Sequence, residues 1–246
     1  MKPSLAVLAA PLMLAAAGLC LRASAGDAPP AGPVLVELFT SQGCSSCPPA
    51  DQLLGELARR PDVVAIGFHV DYWDYIGWKD PYAGPWATQR QRSYAHSLGL
   101  HMVYTPQVVV DGGADAVGSD RAAIDRLIAR AAVAPKLPIQ LETGGGKYHL
   151  VLPQAQLDGP ATVWMAVFDP ERHTAVARGE NSGRSLTDYN IVRNLHRLAS
   201  WDGSATRLDV DIDSMMGKGQ GCAILVQSDN EGRILAALGV PPGKLP

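Results

Sequence analysis

Val63 to Val70 is an almost unbroken apolar run of strand length. A run of this kind is buried completely only in a strand covered on both faces, the situation of a parallel sheet flanked by helices. The neighbouring residues agree with that. Val34 to Phe39 is a second apolar, β-branched run, broken only by Glu37. Between the two, Ala50 to Arg60 carries Leu53, Leu54 and Leu57 on one helical stripe. Trp86 to Leu98 reads as another helix. Gln107 to Asp111 and Ala114 to Gly118 flank Gly112-Gly113 and read as a hairpin. Ser119 then caps a helix with Ile124, Leu127, Ile128 and Ala131 on one face. Crossover helices between strands imply a parallel sheet, and the hairpin adds an antiparallel edge.

Ala134-Pro135-Lys136-Leu137-Pro138 follows the last of these helices and reads as a linker. Beyond it the pattern changes to short strands. Ile139 to Leu141 and Tyr148 to Leu152 alternate around Gly144-Gly145-Gly146, and apolar runs recur at Ala161–Phe168, Leu208–Ile212, Cys222–Gln227 and Arg233–Val240. Regular short strands suggest a sandwich-like β domain. Asn190 to Leu198 reads as a short helix or a polar-edged strand. The expected organisation is an α/β domain over 33–133, with an aromatic insert at 71–86, followed by a smaller, mainly β domain over 138–242.

The N-terminus is set apart from both. Lys2 precedes an apolar run from Leu5 to Leu21, and Ala23-Ser24-Ala25 is a small-residue cleavage signal. Together they read as a secretory signal peptide over residues 1–25, which predicts a periplasmic or secreted protein with no stable membrane insertion after cleavage. Cys20 is lost with the leader. The whole chain carries 21 Lys and Arg against 24 Asp and Glu, and removing Lys2 and Arg22 makes it more acidic. That balance argues against nucleic acid or an anionic membrane as a partner.

Three cysteines remain: Cys44, Cys47 and Cys222. An exported compartment permits disulfides, but so few leave the hydrophobic core to hold the fold. Cys44-Ser45-Ser46-Cys47 lies just after the first strand, and cysteines two residues apart at a helix start approach closely enough to bridge. Cys44 is the natural nucleophile, because free amides and the helix dipole stabilise its thiolate. Cys47 is the resolving thiol that releases a mixed disulfide. Ser45 and Ser46 are small and uncharged, with hydroxyls able to donate to the thiolate. Pro48-Pro49 tempers the dipole's part: proline is tolerated in a first helical turn, so the helix starts there, Cys44 lies in the loop ahead of it, and Asp51 offsets the positive end. A zinc clip needs a second ligand pair that Cys222 alone does not supply, and a disulfide across two residues closes too small a loop to be a stabilising device. Cys222, in an apolar run, reads as a buried free thiol.

The order of elements, with Cys44-Ser45-Ser46-Cys47-Pro48 at the strand-to-helix turn and Thr105-Pro106 just before the third strand, resembles the thioredoxin superfamily over residues 33–133. The stretch from Glu37 to Pro49, the aromatic insert after His69-Val70-Asp71, and Arg178-Gly179-Glu180-Asn181 resemble a bacterial family of secreted thioredoxin-like proteins of unknown function. The resemblance implies an α/β thioredoxin-like domain and a thiol–disulfide oxidoreductase. It implies a redox-active Cys44–Cys47 pair with no other cofactor, and a protein or small-thiol redox partner. It also implies that Pro106 is cis, which leaves Thr105 to offer its backbone to a bound peptide. Glu37 matches the position of a buried acid, a proton acceptor for Cys47; an exposed edge residue or a structural ion-pair partner are the other readings. Trp73, Tyr75 and Trp78 wall a groove beside the dithiol that holds substrate, or else pack against the second half.

Two other classes stand beside this one. With His101 and Met102, and with His69 nearby in the sequence, Cys44 and Cys47 form a soft donor set suited to Cu(I), the chemistry of a thioredoxin-like copper chaperone. A binding module that keeps its dithiol without turnover is the third. Arg178, Glu180, Asn181, Arg184 and Arg193 form a polar group read as a solvated loop and edge.

Overall fold

The structure is a computed structural model, which describes residues 32–229 and 232–246; residues 1–25, expected to be a signal peptide, lie outside the described residues. Chain order begins with β1 (Val34–Thr40), α1 (Pro48–Leu57) and β2 (Val63–His69). An aromatic segment with a short 3-10 turn leads into α2 (Pro85–Ser97), followed by β3 (Gln107–Val110), β4 (Ala114–Val117) and α3 (Arg121–Ala132). The second half comprises β5 (Gln140–Gly144), β6 (Lys147–Leu152), β7 (Ala161–Ala175), β8 (Ser185–Trp201), β9 (Thr206–Val210), α4 (Ile212–Met215), β10 (Gly221–Ser228) and β11 (Ile234–Val240).

The molecule is mixed α/β, with a large central sheet and a second small antiparallel one. The large sheet has eight strands in the order β11-β10-β7-β8-β2-β1-β3-β4; the small one runs β5-β6-β9. The pair β1–β2 is parallel, in register from Val34 against Val63 to Thr40 against His69, while β3 and β4 form the antiparallel edge. Every residue of β1 and β2 is buried, which is what their nearly continuous apolar sequence requires. Alternation then divides the side chains of β1. Val34, Val36 and Leu38 pack with Leu53, Leu54 and Leu57 of α1 and with Ile124 and Ile128 of α3. Leu35 and Phe39 face the other way, onto Tyr94 of α2. The cap of α3 is Asp120, whose carboxylate accepts from the Ala123 amide at 2.9 Å; Ser119, expected in that role, lies one residue too early.

Four strands of the β-rich half extend the first half's sheet and do not close on themselves. On β7, Ala166 and Phe168 join the core beneath α2, while Val163, Met165 and Val167 bury against Leu150 and Leu152 of the small sheet. The sandwich is therefore local, the small sheet lying over β7 and β10. The Asn190–Leu198 stretch belongs to β8. It reads poorly as a strand because its pairing with β7 shifts register twice, between Val163 and Trp164 and between Val167 and Phe168. Between the halves, Lys136 is buried and ion-paired to Asp111, and the Leu137 amide donates to the Leu235 carbonyl at 2.9 Å.

β8 joins β2 through one parallel bridge, Gly67 with Ile191. Two glycines make room for it. A Cβ on Gly67 would stand 3.3 Å from the Tyr189 carbonyl oxygen, and one on Gly55 of α1 would stand 2.5 Å from the Tyr189 ring. Gly55→Ala therefore sets two effects against each other. The helix gains about 1 kcal/mol in propensity, while overpacking costs about 1–3 kcal/mol. With the ring fixed across the helix, overpacking is expected to win, and thermal melting should show a Tm lowered by several degrees. A raised Tm would mean that Tyr189 moves freely.

Candidate functional site: a disulfide turn clamped by distant parts of the chain

β1 delivers the chain to the carboxyl edge of the sheet at Thr40, and Ser41-Gln42-Gly43 lead into Cys44. Cys44 and Cys47 are joined by a disulfide, with Cα atoms 5.5 Å apart. The Cys47 amide donates to the Cys44 carbonyl at 3.2 Å, closing the turn. Cys47 is the N-cap of α1, and Pro48 and Pro49 fill the first helical positions, where an amide hydrogen would have no helical partner. Both cysteines are buried, at 1% and 0% exposure, while Ser45 and Ser46 are exposed. The Ser46 hydroxyl lies 3.3 Å from Cys44 Sγ.

The loop ahead of the cysteines is held through Gln42. Its amide donates to Asp80 (2.8 Å), its side-chain nitrogen donates to Asp188 (2.7 Å), and its side-chain oxygen accepts from the Trp78 indole (3.0 Å). The Gln42 and Cys44 carbonyls both accept from Asn181 Nδ2, at 2.9 and 3.0 Å. Arg184 donates to Asn181 Oδ1 at 2.7 Å, and Glu180 accepts from the Ser45 amide at 3.1 Å. The β7–β8 hairpin tip thus lies along the dithiol turn, and the polar group read as a solvated loop has Asn181, fully buried, at its centre. Nothing local marks that role, since its partners lie 137 and 139 residues away.

Of the aromatic segment, Trp73 and Trp78 reach the turn. A Cβ on Gly43 would stand 3.0 Å from Trp73 Cβ, and the Trp73 indole donates to Thr105 Oγ1 at 2.8 Å. Trp73 thereby couples the dithiol loop to Thr105, whose bond to Pro106 is cis. Trp78 sits over Gly179 of the hairpin tip. Tyr75 points to solvent at 83% exposure.

Behind the turn lies a buried ionic cluster that the sequence reading missed. His69 Nδ1 lies 2.7 Å from Asp80, and its Nε2 is 4.0 Å from Asp188. Burial opposes a charge on His69, but Asp80, then Asp188 and Asp51, outweigh it and raise its pKa to about 9. Asp51, one helical turn after Cys47 and so on the same helix face, accepts from Thr40 Oγ1 at 2.7 Å. Burial first, then the charge of Asp188, pushes its pKa up to about 8. A cleft of about 280 Å³ lined by Pro48, Pro49, Asp51, Gln52, Arg184 and Leu186 runs to its edge. The available signal was weak: Asp51 reads as an ordinary first-turn acid.

Glu37 is placed elsewhere. It is buried on the α2 face of β1, 2.8 Å from Arg90 Nε and 2.5 Å from the Tyr94 hydroxyl, with Gln227 donating to that hydroxyl at 2.9 Å. Thr40, three positions on, faces α1 by alternation. Glu37 therefore makes the structural ion pair, and Asp51 is the carboxyl on the side of Cys47. Losing either partner of such a pair costs about 3–5 kcal/mol, because a charge is left buried.

Of the Cu(I) donor set, Met102 is 71% exposed and His101 is exposed, while both cysteines are oxidised and buried. Among the described residues no group of three or more His, Cys, Asp or Glu could hold a metal ion. Cys222 is a free, buried thiol, and burial raises its pKa to about 11. No described helix is long and apolar enough to cross a membrane.

The cluster makes stability pH-dependent. His69 and Asp51 both have folded pKa values above their unfolded ones, 9 against 6.5 and 8 against 3.8. Each contribution is complete below the unfolded pKa and is lost as pH rises through the folded one. The oxidised protein is therefore expected to melt at a lower temperature at about pH 8.5 than at about pH 5.5. Asp51→Asn should flatten that fall, leaving the His69 part. An Asp51→Asn variant as pH-sensitive as the wild type would show that Asp51 titrates normally.

A profile of the family described as "Protein of unknown function (DUF1223)" matches residues 35–227. A crystal structure of an Agrobacterium tumefaciens protein is 32% identical, covers 86% of this chain and 95% of its own, and superposes with a TM-score of 0.75. HBP35 of Porphyromonas gingivalis shares the fold at 16% identity, with 87% and 76% coverage and a TM-score of 0.57. No curated protein matches the chain.

Proposed function

The chain belongs to the DUF1223 family, a family of unknown function, and from the geometry of its site we propose that it is an exported thiol–disulfide oxidoreductase of thioredoxin-like type. One observation carries the reading. The Cys44–Cys47 disulfide sits between a buried parallel strand and the first turn of a helix, with a carboxyl of raised pKa one turn behind it. The Asp51 carboxyl lies one helical turn behind Cys47 at the edge of an open cleft, where a proton donor and acceptor for Cys47 is useful.

In the oxidising direction a substrate thiolate attacks Cys44 Sγ. A substrate–Cys44 disulfide forms, the Cys44–Cys47 bond breaks, and Cys47 leaves as a thiolate. Asp51, protonated below about pH 8, gives that thiolate its proton, and the cleft beside it admits the water that restores it. The substrate's second thiolate then attacks the mixed disulfide, and Cys44 leaves. Two substrate thiols become one disulfide, and the protein takes up two electrons and two protons. In the reducing direction Cys44 is the attacking thiolate, Cys47 resolves, and Asp51 accepts the Cys47 proton. A protein or low-molecular-weight thiol–disulfide couple closes the cycle. Thr105, tied to the dithiol loop through Trp73, lies where a substrate strand can lay its backbone, and exposed Tyr75 is the aromatic free to contact it.

The burial of both cysteines favours one other reading, a binding module in which the disulfide never turns over. Turnover separates the two. The wild type is expected to exchange reversibly with a glutathione couple and to oxidise a reduced peptide or reduce insulin. Cys44→Ser should lose at least ~100-fold of that rate, since the nucleophile is gone. A wild type no faster than Cys44→Ser would leave only the module. Export is supported by the Leu5–Leu21 run and Ala23-Ser24-Ala25, and N-terminal sequencing of the mature protein checks for cleavage after Ala25.

A further inference from the structure

Backbone amides at the dithiol turn are in short supply. Pro48 and Pro49 remove two from the first turn of α1. The Cys47 amide is spent on the Cys44 carbonyl at 3.2 Å. The Ser45 amide, the first donor past Cys44, is taken at 3.1 Å by Glu180, which reaches in from the hairpin tip 135 residues away. The Ser46 hydroxyl lies 3.3 Å from Cys44 Sγ.

Glu180 also brings charge. It is exposed, and its bond to Ser45 holds its carboxyl below the usual range, so it is ionised at neutral pH. Charged groups of both signs surround the turn. His69 of β2 pairs with Asp80 of the aromatic segment and lies near Asp188 of β8. Asp51 of α1 is protonated below about pH 8. On the tip itself, Arg184 is bonded to Asn181, and Arg178 is exposed. Glu180 meets the turn from the solvent side, at the amide next to the attacking sulfur.

We propose that Glu180 is a positioning residue that sets the redox poise of the Cys44–Cys47 pair: by occupying the Ser45 amide and placing a negative charge beside Cys44, it disfavours the Cys44 thiolate and so favours the disulfide. This rests on the redox-active reading above. It gives the Arg178-Gly179-Glu180-Asn181 stretch two separate duties. Asn181 fixes the loop, and Glu180 tunes its chemistry. No electron or proton passes through Glu180; it shifts the equilibrium between a dithiol and a disulfide by acting on one form only.

The test compares wild type with Glu180→Gln, Glu180→Ala and Glu180→Asp. In a Cys47→Ser background, thiolate absorbance between about pH 4 and pH 10 reads the Cys44 pKa, which is expected to fall by roughly 0.5–1 unit in Glu180→Gln. With both cysteines present, equilibration against glutathione should move threefold to tenfold towards the dithiol, tenfold being about 30 mV. The difference should appear as pH rises through the Cys44 pKa, vanish below it, and shrink at about 1 M salt because the charge is exposed. Glu180→Ala should follow Glu180→Gln, and Glu180→Asp should stay near wild type. Melting of the oxidised variants confirms that each is folded. An unchanged pKa and equilibrium in Glu180→Gln, or effects that follow side-chain size and not charge, would overturn the proposal. A wild-type disulfide that cannot be reduced reversibly would instead remove the reading on which it rests.

Discussion

The turn that carries the disulfide has no strand beside it to take up its backbone polar groups, and buried groups of that kind must find partners somewhere. Gln42 is where this is resolved. It is 1% exposed, and its amide, carbonyl and both side-chain termini are each bonded, to Asp80, Asn181, Asp188 and Trp78. Those partners come from the aromatic segment, the hairpin tip and β8. One glutamine therefore ties the loop to distant parts of the chain at once. The same bonds keep Asp80 and Asp188 beside His69, so loop geometry and the charge balance of the buried cluster are a single property. An apolar residue at position 42 would take from the Asp188 carboxylate and the Trp78 indole their bonds to the glutamine side chain, each loss costing roughly 1–3 kcal/mol.

The second half of the chain takes part in this site and is not an appendage to it. Its strands prolong the central sheet through the bridge at Gly67 and Ile191, and Tyr189 packs across Gly55 of α1. That seam brings the β7–β8 hairpin to the carboxyl edge of β1, where the cysteines are. Its place at that edge is marked by Asn181 on the Gln42 and Cys44 carbonyls and by Asp188 beside His69. The hairpin supplies Glu180, Asn181 and Arg184.

What could be read from the sequence follows the range of the forces involved. The strand-to-helix turn, the proline-led helix start and the β3–β4 hairpin are set by neighbours in the chain, and they are legible there. Cys222 was readable as buried because its run is apolar throughout. For Glu37 the resemblance implied a buried acid, with an exposed edge residue or an ion-pair partner left open, because the side of the sheet it serves depends on strand parity relative to helices not yet placed. One step of alternation sends it to Arg90 and away from Cys47. Asp51 was hidden for the opposite reason: an acid in a first helical turn is ordinary, and only the packing of β8 over it makes it buried. β8 itself hid behind Arg193, Asn194 and His196, polar residues that break the apolar alternation where the pairing with β7 slips. Asn181 had no local signature, since both of its acceptors lie more than a hundred residues towards the N-terminus.

The separation between Cys44 and Asn181, 137 residues, has a consequence in time. During synthesis the two cysteines emerge long before the hairpin that clamps their loop, so the nascent chain carries the cysteine turn with neither its Asn181 clasp nor its Glu180 contact. Completion of the hairpin is then the event that encloses the turn, when Asn181 and Glu180 reach its backbone.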